Sequence, residues 1–124
     1  MKQPWMTPPM LVDIELRPEI CILHCKGCFV AGQDPEYLRN KVDEIKNLNC
    51  SKVIADFREV QSIGSMGIAF LVGVYTSVVR KSGGRFVLAG ARPFVNRVLD
   101  LTKLSTVIPL TEDLTSALAI LCGG

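Results

Sequence analysis

Two groups of side chains in this chain have the types and spacing for chemistry. The first centres on Ser65, in the run Ser62-Ile63-Gly64-Ser65-Met66-Gly67-Ile68. A β-branched stretch ending in an acid, Val53-Ile54-Ala55-Asp56, precedes it, and a strongly apolar stretch reaching Tyr75 follows. Strand, polar loop, small-residue turn and helix, in that order, place the Ser65 hydroxyl at the amino end of a helix on the edge of a sheet. Backbone N–H groups there lack intrahelical partners and the helix dipole is positive, so a phosphate on that oxygen is electrostatically favoured. The chemistry would be acceptance of a phosphoryl group; the plain alternative is a helix cap. Ser62 is a rival acceptor, or a loop residue making local hydrogen bonds. Asp56 is either a polar contact on the functional edge, where open α/β sheets carry ligands, or an anchor for nearby backbone. Arg58 and Arg92 follow the third and fourth strands and belong at the same edge. There they either attract a phosphate or an acidic partner or are simply solvated.

The second group is Cys21, His24, Cys25 and Cys28. Cys25-Lys26-Gly27-Cys28 has zinc-knuckle spacing. Strand alternation, however, sets Cys21 and Cys25 on one face and His24 on the other, and the chain has no second such pair. The expectation is small buried cysteines and no metal. Gly64-Ser65-Met66-Gly67 has part of the nucleophile elbow of serine hydrolases, but Ile63 stands where that motif needs glycine. The one histidine, His24, lies early in the chain instead of late. A protein without enzymatic activity or cofactor is expected.

These residues need a scaffold, and 124 residues suit one domain with one core. The formal charge of +2, from 14 basic and 12 acidic residues, shows no basic stripe and argues against nucleic acid as a partner. No apolar run approaches the roughly 20 residues that span a bilayer, so no direct membrane insertion is expected. The amino terminus lacks a signal core. The expectation is a cytoplasmic protein, with residues 1–10 as a flexible, proline-containing tail and 11–124 as the domain. Five cysteines, an odd count, argue against a disulfide framework.

Leu11–Leu16 alternates as a half-buried strand, and Arg17-Pro18-Glu19 turns the chain into a hairpin partner, Ile20–Cys25. Lys26-Gly27 bends that strand and Cys28–Val30 continues it. Asp34 caps a helix with Pro35 in its first position, and Leu38, Val42, Ile45 and Leu48 recur at helical spacing. Val53–Asp56, apolar until its end, is a central strand. A buried helix spans Ser65 to Arg80 and ends at Gly83-Gly84. Arg85–Ala89 is the fourth strand, 92–101 a short helix, and Val107–Leu110 an edge strand containing Pro109. Thr111 caps the last helix. After the opening hairpin, strands alternate with helices, which implies right-handed crossovers and a parallel run in a mixed sheet.

Over residues 11–121 this pattern resembles the STAS family of sulfate-transporter domains and bacterial anti-sigma factor antagonists. The landmarks are the strand pair ending at Lys26-Gly27, the strand Val53–Asp56, the turn Gly64-Ser65-Met66-Gly67-Ile68, and Gly83-Gly84-Arg85-Phe86-Val87-Leu88-Ala89-Gly90. The resemblance implies an α/β, STAS-type (SpoIIaa-like) fold, a mixed β-sheet of four to five strands with helices packed mainly on one face. In antagonists the turn reads Asp-Ser-Ser-Gly-Leu and its first serine is phosphorylated; Ser65 falls at that position. Gly64 stands for the usual aspartate and Met66 for the second serine.

By resemblance, the unmodified domain binds an anti-sigma factor serine kinase and frees a sigma factor. Phosphorylation breaks the complex, and a PP2C-type phosphatase restores it. The partner surface would comprise Asp56, Arg58, Ser62, Ile63, Gly64, Ser65, Met66, Gly67, Ile68 and Arg92, with the protein a monomer or weak homodimer. The alternative is a STAS subunit that binds a small ligand or a membrane transporter complex, of nucleotide or lipid-transport type. A binder that is never phosphorylated is a further option.

Overall fold

A computed structural model describes residues 11–29 and 35–122. The expected tail, the continuation into Val30 and the Asp34 cap lie outside the described residues. Five strands form one sheet in the order β1 (Leu11–Arg17), β2 (Ile20–Phe29), β3 (Lys52–Ile63), β4 (Arg85–Ala89) and β5 (Leu110–Thr111). The β1–β2 hairpin is antiparallel and the remaining pairs are parallel, as the strand–helix alternation predicts. β3 is central. The helices are α1 (Pro35–Leu48), α2 (Ser65–Tyr75), α3 (Pro93–Leu101) and α4 (Leu114–Cys122).

Period-two alternation divides the sheet's side chains between two apolar layers. Leu23, Ala55, Phe57 and Leu88 face α1, α2 and α3, meeting Leu38, Ile45, Phe70, Leu71, Val95 and Leu99. Ile22, Ile54, Val87 and Ala89 face the other way and meet Ala117 and Leu121 of α4. Three helices thus cover one face and one covers part of the other. Among the described residues, no helix is long and apolar enough to cross a membrane.

Four expected details are corrected. The polar segment 57–63 is strand, not loop: β3 pairs with β2 up to Phe29↔Ile63. Two register shifts explain the misreading. His24 pairs with Asp56 but Lys26 with Glu59, and Gly27 with Val60 but Cys28 with Ser62, so β3 carries an extra residue at each step. The buried residues Phe57, Val60 and Ile63 therefore recur every three positions instead of every two. Gly27, at φ +96°, supplies the backbone conformation that this irregular pairing needs.

The α-helix of α2 ends at Tyr75, and residues 76–80 continue as one π turn closed by Lys81 N–H donating to Thr76 O at 2.9 Å. The last strand is only Leu110–Thr111, after a 3₁₀ turn at Leu104–Thr106. Thr111 does not cap α4. Its hydroxyl donates to Leu88 O at 3.1 Å across the sheet, while Asp113 Oδ1 accepts Ser116 N–H at 2.8 Å and takes the capping role.

Candidate functional site

The end of β3 delivers the chain to α2. Gly64 is the N-cap residue, extended at φ −132°, and its carbonyl accepts Ile68 N–H at 3.0 Å. Glycine has no side chain to satisfy the first-turn N–H groups, and the first turn contains no acid. Ser65 is therefore the first helical residue and not the cap, with its side chain exposed. The amino end of α2 presents unpaired donors and positive potential beside a free-facing hydroxyl.

Around Ser65 the sequence-derived residues separate by depth. Gly64, Met66, Ile68 and Ser62 are half-buried, while Ile63 and Gly67 are buried and shape the turn from beneath. Ser65, Ala69 and Val72 are exposed at helical spacing, so an uncharged stripe runs down α2 from the hydroxyl. Phe70, Leu71 and Val74 hold the opposite side of the helix in the core. Beside the stripe an apolar groove of about 310 Å³ opens between α1 and α2, lined by Leu38, Val42, Met66, Ala69 and Phe70 with Arg39 and Asp43 at its polar margin. No local sequence pattern marks this groove. It arises where Gly73 lets α2 approach Val42 of α1, and pairing of distant helices leaves no local signal.

Asp56, Arg58 and Arg92 form a separate group. Asp56 is only 4% exposed, on the sheet face that α4 partly covers. Its Oδ1 accepts the Arg58 backbone N–H at 3.2 Å and Nε at 3.1 Å, and its Oδ2 accepts Arg58 Nη2 at 3.0 Å. The His24 ring meets Oδ2 through Nδ1 at 3.2 Å and Glu15 Oε1 through Nε2 at 2.7 Å. Glu15 in turn holds Arg17 at 2.6 Å. Burial acts to raise the Asp56 carboxyl, but hydrogen bonds from the Arg58 side chain and backbone and from His24 outweigh it and hold the group below the usual carboxylate range. Glu15 is lowered likewise by His24 and then Arg17.

Asp56 therefore anchors its own strand and its fork orients Arg58, whose guanidinium stays largely exposed. The Arg58 stem lies against Gly90, and Arg92 Nε donates to Arg58 O at 3.4 Å. The two arginines are thus neighbours, on the sheet face opposite α2. The bridging role of His24 was missed. Only the alternation that puts Glu15 and His24 on one face hinted at it.

The cysteine–histidine group is not brought together. Cys21 and Cys25 lie in the core beneath α1 and α2, whereas His24 lies on the other face between two carboxylates.

Comparison with known proteins places this arrangement in context. The anti-sigma F factor antagonist of Paenibacillus polymyxa is 25% identical over 84 residues, covering 67% of this chain and 71% of that protein. The crystal structure of an anti-sigma factor antagonist from Mycobacterium paratuberculosis superposes with a TM-score of 0.78 at 20% identity, covering 90% of this chain and 93% of that one. Unphosphorylated SpoIIAA, an anti-sigma factor antagonist, gives 0.76 at 16% identity over 92% and 98% of the two chains. The phosphorylated form of Bacillus SpoIIAA gives 0.67 at 16% identity over 87% and 96%. These structures share the five-stranded mixed sheet and its helices. The STAS domain model matches residues 12–117, from β1 into α4, and the chain belongs to the STAS domain family.

Proposed function

We propose that this chain is an anti-sigma factor antagonist, a binding module without catalytic activity of its own, in which Ser65 is the phosphoryl acceptor. The observation that carries the reading is the exposed hydroxyl on an uncapped, acid-free helix terminus at the head of an uncharged stripe. The relatives named as antagonists, and a fold neighbour solved both with and without phosphorylation, support it.

In this reading the partner is an anti-sigma factor kinase, which brings its own ATP and magnesium. It contacts Ser62, Gly64, Ser65, Met66, Ile68 and the exposed side of α2. Ile63 and Gly67 act from beneath by setting the turn, and Arg58 and Arg92 form a second patch fixed by Asp56. Phosphorylation adds about −1.5 to −2 charges. Against Met66, Ala69 and Val72 that charge imposes a desolvation cost on an apolar interface, while the helix terminus tolerates it within the domain. Binding is lost and the fold is kept. A phosphatase of the PP2C type resets the switch, and the domain works in the cytoplasm, where the sigma factor is.

The test is incubation with the cognate kinase and ATP, followed by phosphosite mapping and capture assays. Phosphate on Ser65, with capture lost in Ser65→Asp by about 100-fold or more and an unchanged melting temperature, is the expected result. Modification elsewhere, or equal capture by both proteins, would refute the reading. A second reading, binding of a small apolar ligand within a transport complex, draws on the α1–α2 groove, whose volume lies at the lower end for ligand pockets. Retained partner capture with the groove blocked by Ala69→Phe would count against a shared role for the two features.

A further inference from the structure

α3 carries apolar side chains on two sides. Val95 and Leu99 are buried in the core. Phe94 and Leu101 lie on the outer side, 58% and 77% exposed, with half-buried Val98 between them in sequence. Seven residues, or two helical turns, separate Phe94 from Leu101, so both stand on one side of the helix about 10 Å apart. Among the described residues, the one other large apolar side chain more than half exposed is Leu16, on a different element at the β1–β2 hairpin. A single exposed apolar residue needs no explanation, whereas an apolar stripe with a polar rim marks a contact surface.

The rim of this stripe is basic. Arg92 precedes the helix, Arg97 lies one turn beyond Phe94 on the same side, and Lys103 follows Leu101. All three are exposed, and among the described residues none of them pairs with a carboxylate. Asp100 is the one acid in segment 92–103. The platform is fixed at both ends. Pro93 takes the first helical position, Asn96 Nδ2 donates to Ala91 O at 3.3 Å, and Thr102 Oγ1 donates to Val98 O at 2.9 Å. The stripe is thus in place before a partner arrives, which lowers the ordering cost of binding.

We propose that the outer face of α3 docks an acidic amphipathic helix of a partner protein. The partner helix lays apolar side chains between Phe94 and Leu101, as the ridges of one helix enter the grooves of another, and its carboxylates meet Arg92, Arg97 and Lys103. This surface differs in chemistry from the uncharged stripe on α2, and its occupancy does not depend on the charge state of Ser65. An anionic membrane is the other occupant for a basic apolar face. Two features favour the protein. The stripe offers only two large exposed side chains, less than the broad apolar face of a helix that lies in a lipid surface. Asp100 also stands one turn from Arg97 and would meet lipid phosphates with a like charge, whereas a partner helix can set a base opposite it.

The test uses the full chain, isotopically labelled for NMR, and three probes. The first is a synthetic helical peptide of about 15 residues with leucines along one face and glutamates beside them. The second is the same peptide with lysine in place of glutamate, and the third is vesicles of phosphatidylglycerol and phosphatidylcholine. The glutamate peptide should bind with a dissociation constant below about 1 mM and shift amide resonances of residues 92–103. Phe94→Ser, Leu101→Ser and Arg97→Glu should each weaken it about 5–10-fold, and added salt should weaken it further. These side chains are exposed, so melting temperatures should stay at the parent value. The lysine peptide and the vesicles should leave the spectrum unchanged, and Ser65→Asp should bind the glutamate peptide as the parent does. Failure of the Ser65 reading would leave all of these results in place. Equal binding of the two peptides, no binding of the glutamate peptide, shifts centred on α2 or the α1–α2 groove, full affinity in Leu101→Ser, or binding to the vesicles would each overturn the proposal.

Discussion

Around Asp56, five side chains on three strands hydrogen-bond one another in a chain, whereas at Ser65 the amino end of α2 has neither a capping side chain nor an acid. Arg17, Glu15, His24, Asp56 and Arg58 run as one chain of contacts from the edge strand to the centre of the sheet. Such a network is costly to interrupt, since a buried charge without a partner is penalised. The α2 terminus has no such contacts to lose when altered by small polar changes, because no side chain caps it. One polar region maintains the fold and the other is available for recognition, although only Gly64 separates β3's buried end from the exposed hydroxyl.

Substitutions should separate the two regions. Asp56→Ala removes the acceptor shared by Arg58 and His24 and should lower stability by about 2–4 kcal/mol in urea melts, with Ser65-dependent partner capture retained in the folded fraction. The same carboxylate predicts a pH effect. Its folded value lies below its ordinary value of 3.8, so its contribution is complete above that pH and disappears as pH falls through the folded value. Asp56→Asn should flatten acid unfolding in that window; an unchanged acid limb would disconnect the carboxylate from stability.

A smaller effect is expected at Gly90, whose φ of +72° and contact with the Arg58 stem leave no room for a methyl group. Gly90→Ala should cost about 1–2 kcal/mol and displace Arg58 and Arg92, weakening capture only if the arginine patch belongs to the interface. The smallest effect on stability belongs to Gly64→Asp. It supplies the missing cap and should change the unfolding free energy by no more than a few tenths of a kcal/mol. A loss above about 1 kcal/mol would mean that the turn requires glycine and that its bareness serves the fold.

Much of the scaffold was legible because its signals are local. Pro35 and the spacing of Leu38, Val42, Ile45 and Leu48 marked α1, the apolar run before Asp56 marked the central strand, and the small residues around Ser65 marked the start of α2. The placement of Ser65 at a helix start needed no tertiary information. Segment 57–63 was misread because bulges break the period on which strand recognition depends. Thr111 reads as a cap in the sequence because the cross-strand bond to Leu88 cannot be inferred without knowing the register. The Glu15–His24–Asp56 contacts join three strands, and the α1–α2 groove joins two helices, so neither leaves a trace in neighbouring residues. Asp56 itself was noticed, with an anchoring role among its readings, but the partners that anchor it were not.

The paired irregularities in β3 also affect how this part of the chain can vary. Each one absorbs a surplus residue without rotating those that follow, so losing the surplus residue from either would smooth the strand and leave Val60 or Ile63 pointing inward. The approach to α2 therefore contains slack. Deleting the surplus residue at either irregularity would keep the pairing of every residue beyond it, so the strand can change length there by one residue without moving or turning Ser65.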